Sequence, residues 1–172
     1  MSSKVIAANS LNTGFTVLEK IIAIIIAAGS LIILYYEVSL VADFITSGIA
    51  KTGKTSYGEL IKVHHLPLIV SVLGVFGGCM LLFNDKKGWI LSLIATAMFG
   101  MIFLISSRTN AIGGSLTYAG FYKSYGITAI ASFIMFILLL LNPFRQKYAP
   151  TAKNWAWIFG AIILLLADKL IF

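Results

Sequence analysis

The chain has 172 residues, of which 59% are hydrophobic and 11% charged, with a mean hydropathy of +0.97. A soluble domain has about 45–50% apolar and about 25% charged residues, and one of this size leaves roughly a third of its unfolded surface exposed, so the composition excludes an ordinary soluble fold. The formal net charge of +7 lies in connecting segments, which suits anionic lipid headgroups and excludes nucleic-acid binding by a basic soluble face.

Five apolar segments are long enough to cross a bilayer, which takes about 20 residues in a helix. In chain order they are residues 17–36, 66–83, 89–105, 125–141 and 155–172. The first can continue as a helix to about Ile49, and it lacks a small-residue cleavage site, so we expect it to remain uncleaved. The prediction is one membrane domain over residues 1–172, an all-α bundle of four to five transmembrane helices with short loops.

The borders of these segments carry typical end signals. Trp89 and Trp155 open the third and fifth segments, and tryptophan prefers the headgroup level of a membrane. Pro67 is expected in the first turn of the second helix, where its missing N–H costs nothing. Asn142 precedes Pro143 and is pushed out of the α region, which predicts the end of the fourth helix.

Five spans place the two termini on opposite sides of the membrane. Basic residues are concentrated in two short turns, residues 84–88 and 143–154. Short basic loops favour the inner side, so we expect the N-terminus inside. The predicted location is an integral membrane one, with the lipid bilayer as the first partner.

The middles of the five segments contain no Asp, Glu, Lys, Arg or His. Ion-coupled carriers and pumps keep such groups within the membrane, membrane haem needs facing histidines, and hydrolysis at depth needs an acid, base or nucleophile. His64 and His65 are neighbours that point apart on a helix, so one ion cannot easily use both. We therefore predict no catalytic residue, no cofactor and no metal site. The single cysteine, Cys79, excludes an internal disulfide.

Residues Gly48–Thr55 match the phosphate-binding pattern G-x-x-x-x-G-K-[ST]. In nucleotide-binding proteins this loop joins a strand to a helix of a parallel sheet. Here it falls between two membrane spans, with no room for a sheet. We expect no nucleotide, and lysines that meet headgroups or an acidic surface.

Small residues one helical turn apart mark candidate packing faces. Gly74 and Gly78 form a G-x-x-x-G pair in the second segment, and Ala23 and Ala27 repeat the spacing in the first. Such faces let another helix approach closely. The partner helix belongs either to the same chain or to another subunit, and the sequence leaves both open.

Two further features are candidates for partner contact. Asp168 falls short of the far interface by its count from Trp155, so Lys169 pairs with it and reaches outward, or the two form a salt bridge with another subunit. The loop between the third and fourth segments is rich in glycine and aromatics, with Tyr118, Phe121 and Tyr122. It either folds back on the bundle or docks on another protein.

The preferred functional hypothesis is a non-enzymatic accessory or scaffold subunit of a larger membrane protein complex, with other membrane subunits or copies of itself as partners. The alternative is an oligomeric pore or carrier for a small neutral solute. That path would use the hydroxyls of Ser71, Ser92, Thr96, Thr128 and Ser132. A third possibility, an enzyme, would have to draw its acid and base from Glu37, Asp43, His64 and His65.

Overall fold

The computed structural model describes residues 3–46, 57–112 and 119–171, and the side chains of residues 14–43, 45–46, 58, 64–106 and 126–168. Six helices and the turns between them make up these ranges, which contain no strand. The helices are α1 (Ser3–Thr46), α2 (Tyr57–Leu82), α3 (Lys86–Ile112), α4 (Ala119–Leu139), α5 (Asn142–Tyr148) and α6 (Ala152–Ile171). Within these ranges the prediction of an all-α fold is confirmed.

Three helices are long and apolar enough to cross a membrane. The qualifying segments are Gly14–Asp43, His64–Leu82 and Lys86–Ser106. A fourth crossing results if α4 and α5, whose axes meet at a bend of 58°, act as one span. The described residues therefore form a helical protein with three to four possible spans, compatible with an integral membrane location, and the fifth span stays a prediction.

The helices extend beyond the predicted apolar segments. At 1.5 Å per residue, the 44 residues of α1 measure roughly 66 Å, about twice the thickness of a hydrocarbon core of about 30 Å. The apolar segment defines where a helix can sit in lipid. It does not define where the helical hydrogen bonding ends, so α1 begins well before the predicted start of the span.

The expected position of Pro67 is wrong. Because α2 begins at Tyr57, Pro67 lies inside the helix rather than in its first turn. It is buried, and the Ser71 hydroxyl donates to its carbonyl at 2.7 Å. Membrane helices tolerate an internal proline because surrounding groups satisfy the freed backbone. The polar residues before the apolar segment concealed the first turns of α2.

The stretch after α4 also differs from its prediction as a simple turn. The fourth helix ends at Leu139, and Asn142 and Pro143 open α5, with proline in the first turn. Phe144 and Tyr148 lie one turn apart on the buried face of this short helix. The helix α5 therefore closes one end of the bundle.

Helix α3 is the centre of the bundle. Of its span, 72% is buried, against 28% for α1 and 44% for α2. Each of the first three helices packs against the next in sequence, and α6 packs against α3. Gly77 of α2 permits a close approach, since a Cβ there would lie 2.8 Å from the backbone nitrogen of Ser92. We call the end that holds α5 the basic end and the end that holds His64 and His65 the histidine end.

Candidate functional site

The predicted small-residue faces meet within this chain. A Cβ built on Gly78 would lie 2.6 Å from the nitrogen of Ala27 and 2.8 Å from the carbonyl oxygen of Ala23. A Cβ on Gly74 would collide with the Ser30 side chain. The structure thus brings these four small residues into one close contact between α1 and α2, where only glycine fits on α2.

A buried carboxylate organises the basic end. Glu19 of α1 is fully buried, and both Lys147 Nζ and the Tyr148 hydroxyl of α5 donate to it. Lys147 also donates to Asn84 Oδ1 at 2.8 Å, in the turn between α2 and α3. A buried charge without partners is strongly destabilising. The cluster therefore fixes α5 against α1 and the α2–α3 turn.

Trp89 lies beneath this cluster rather than at the lipid surface. Its side chain is fully buried, and its indole Nε1 donates to the Leu139 carbonyl at 3.0 Å. Its ring stacks on Tyr148 at 5.9 Å and meets Trp155 edge-on at 5.8 Å. Trp89 does mark the start of the third span, but as a core residue that joins the starts of α3 and α6 to the end of α4.

The histidine end holds two separate histidine–carboxylate pairs. His64 Nδ1 donates to Glu37 Oε2 at 2.6 Å, which links α2 to α1. His65 Nε2 donates to Asp168 Oδ2 at 2.6 Å, which links α2 to α6. Adjacent residues on a helix point in different directions, so each histidine reaches a different helix. All four side chains are partly buried.

An open cleft lies at mid-depth between α1 and α4, with α3 as its floor. Its volume is about 140 Å³, and its lining is apolar apart from a few hydroxyls. Gly29 on α1 and Ala131 on α4 are among its small residues, and a Cβ built on Gly29 would have no atom within 4 Å. The cleft can accept side chains or a small neutral molecule.

Three of the five hydroxyl residues proposed for a solute path line this cleft. They are Thr96, Thr128 and Ser132. Ser71 instead donates to the Pro67 carbonyl within α2. Ser92 is buried elsewhere, and its Oγ has no hydrogen-bond partner among the described residues. The five residues therefore do not share one cavity.

Several predicted residues lie outside what the structure describes. They are the whole of Gly48–Thr55, Tyr118, and the side chains of Phe121, Tyr122 and Lys169. Of the predicted Asp168–Lys169 pair, only Asp168 is described, and its partner is His65.

Sequence reasoning missed the partners of Glu19. An acidic residue beside an apolar run signals a need for a partner, since charge at the membrane is costly. The partners Lys147 and Tyr148 lie 128 and 129 residues further along. They sit in a segment that reads as a turn, so no local pattern could connect them.

The described side chains limit the chemistry that these sites can perform. No group of three or more His, Cys, Asp or Glu side chains that could hold a metal ion comes together among them. Each histidine–carboxylate pair resembles an acid–base arrangement, but the cleft lies at a different level and is lined by no ionisable side chain. Comparison with protein-family models, with curated protein sequences and with solved structures finds no match.

Proposed function

We propose that this chain is a non-enzymatic accessory or scaffold subunit of a larger membrane protein complex. In this proposal α6 completes a bundle of four to five spans, and the basic end faces the inner side of the membrane. Six described cations lie at that end: Lys20, Lys86, Lys87, Arg145, Lys147 and Lys153. Their position agrees with the tendency of short basic loops to stay inside.

The cleft between α1 and α4 is the observation that carries the proposal. Gly74 and Gly78 show how this chain uses small residues, because α1 fills the space above them. Gly29 offers the same kind of surface with nothing against it. Helices associate in lipid mainly through close packing at small residues. A transmembrane helix of another subunit, seated over Gly29 and Ala131, would complete the packing.

The use of charge within the bundle supports a structural role. Glu19, Glu37 and Asp168 each contact a basic or histidine side chain of another helix. A transporter or enzyme would hold such groups towards its substrate path. Here they fasten helices together at the two ends of the bundle, away from the cleft.

Native mass spectrometry after mild detergent extraction from the original membrane tests the proposal. We expect the tagged chain to be recovered with at least one different membrane protein. Gly29→Leu should abolish that association, because a leucine fills the cleft without touching the chain's own packing. Gly126→Leu is the matched control, since a Cβ at Gly126 also meets no atom within 4 Å and lies outside the cleft.

Recovery of the wild-type chain as a monomer or as a homo-oligomer alone would overturn the accessory role. If Gly29→Leu still retains the partner, the cleft is not the site at which that partner binds. Each variant is first checked for a single symmetric peak in size-exclusion chromatography, so that loss of partner is not mistaken for loss of fold.

A pore or carrier for a small neutral solute is the second candidate, favoured by the hydroxyls in the same cleft. Thr96 and Ser132 donate to carbonyls of their own helices at 2.7 and 2.8 Å, which leaves each oxygen able to accept a bond from a solute. Flux of glycerol into liposomes that contain the purified chain separates the candidates. An accessory subunit leaves the permeability at that of empty liposomes, whereas a pore raises it and loses the increase in Gly29→Leu.

A further inference from the structure

A second groove runs along α6, on the side that faces α2 and α3. It consists of two neighbouring clefts, of about 630 Å³ and 380 Å³, that share Trp157 and Ala161. Aliphatic side chains and Gly160 form most of its walls, and a Cβ at Gly160 would meet no atom within 4 Å. The groove is therefore open along a helix that would lie in lipid.

Each cleft of this groove carries one lysine. Lys87 contributes to the smaller cleft and Lys153 to the larger. Each lysine is the second residue of its helix and stands two positions before a tryptophan, Trp89 or Trp155. Because those two rings touch at 5.8 Å, the starts of α3 and α6 lie side by side. Both lysines thus belong to the same end of the bundle.

These two ammonium groups differ from the other described lysines of the basic end in having no oxygen partner among the described residues. Lys86 donates to the Ala149 carbonyl at 2.9 Å, Lys20 donates to Leu82, and Lys147 donates to Glu19. The side chains of Lys87 and Lys153 are exposed. A long apolar groove with two available cations at its mouth is complementary to a phospholipid. The phosphate would lie at the mouth and the acyl chains against α6.

We propose that the groove along α6 binds an anionic phospholipid, with the headgroup phosphate held by Lys87 and Lys153, the Trp157 indole at the headgroup level and an acyl chain against Gly160. Charge selects the ligand, because lysines near a membrane surface attract anionic lipids, while tryptophan favours the same depth. The site is separate from the cleft between α1 and α4; it rests on the placement of α6 in the membrane that the proposed function includes, and not on the accessory role.

Lipid retention in native mass spectrometry tests the site. The full chain is purified in mild detergent with equal amounts of phosphatidylglycerol and phosphatidylcholine of the same acyl chains. We expect selective retention of phosphatidylglycerol. The double variant K87Q/K153Q should bind it about 30-fold more weakly, since each lysine contributes roughly 5-fold near an anionic surface. Arg145→Gln removes one charge from the same end and should have less effect than Lys153→Gln.

A variant that keeps the charge tests the groove itself. Gly160→Leu occupies the apolar wall and should weaken retention of phosphatidylglycerol, while Gly126→Leu should not. Equal retention of the two lipids, or unchanged retention in both K87Q/K153Q and Gly160→Leu, would overturn the proposal. Displacement of the lipid by millimolar glycerol phosphate would assign the lysines to a soluble phosphate instead. Crosslinking of the variant Gly160→Cys to another membrane protein through its new thiol would assign the groove to a partner helix.

Discussion

The two ends of the bundle are held by different physical means. At the basic end, the buried carboxylate of Glu19, the buried ring of Trp89 and the short helix α5 form a single cluster. This cluster contacts α1, the α2–α3 turn, α3, α4 and α6. At the histidine end, two separate pairs join α2 to α1 and to α6, and their side chains are partly exposed. We therefore expect the basic end to be the rigid part of the fold, and the histidine end to contribute local attachment rather than overall stability.

Truncation of Trp89 should have the largest effect. Trp89→Ala removes a fully buried ring with its hydrogen bond to Leu139, and buried Trp→Ala changes cost about 3–5 kcal/mol. The free energy of unfolding can be measured by titration with a denaturing detergent, followed by circular dichroism. Trp157→Ala is the control, because its ring is 66% exposed. Equal losses in the two variants would contradict the central place of Trp89.

The ion pair at Glu19 should show an unequal response to loss of either partner. Lys147→Met leaves a fully buried carboxylate with Tyr148 alone, and breaking a buried pair in this way costs about 3 kcal/mol or more. Glu19→Gln should cost only about 1 kcal/mol, because the Lys147 side chain is 33% exposed and can turn to water.

The double variant Glu19→Gln/Lys147→Met sharpens this test. Removing the carboxylate should recover part of the stability that Lys147→Met alone loses. The same detergent titration measures all three variants. If the double variant is less stable than either single one, the buried charge is not the source of the cost, and the cluster at the basic end is held by packing alone.

The difference between the ends also shows what the sequence could and could not predict. Apolar length located α1, α2 and α3 because lipid imposes one long helix per crossing. The apolar pattern of the sequence could not predict α5, because its seven residues include only a few apolar ones. Only the packing in space shows that Phe144 and Tyr148 are buried. Pairs such as Glu19 with Lys147 or His65 with Asp168 depend on helices distant in sequence, so they follow only from the arrangement in space.

The histidine end should respond weakly and locally. Asp168→Asn and Glu37→Gln each weaken one charge-assisted hydrogen bond, and we expect losses of about 1 kcal/mol. Asp43→Asn provides a control on α1, where the exposed carboxylate has no partner among the described residues.

Loss of the two pairs should nevertheless affect amide exchange in different helices. Helix α1 keeps its close contact with α2 through Gly74 and Gly78, so Glu37→Gln should leave amide exchange in α1 unchanged. Helix α6 packs chiefly on α3, and the pair between Asp168 and His65 joins its last turns to α2, so Asp168→Asn should speed exchange in those turns. Hydrogen–deuterium exchange measures both. Faster exchange in α1 than in α6 would mean that the histidine pairs, and not the glycine contact, hold α1 in place.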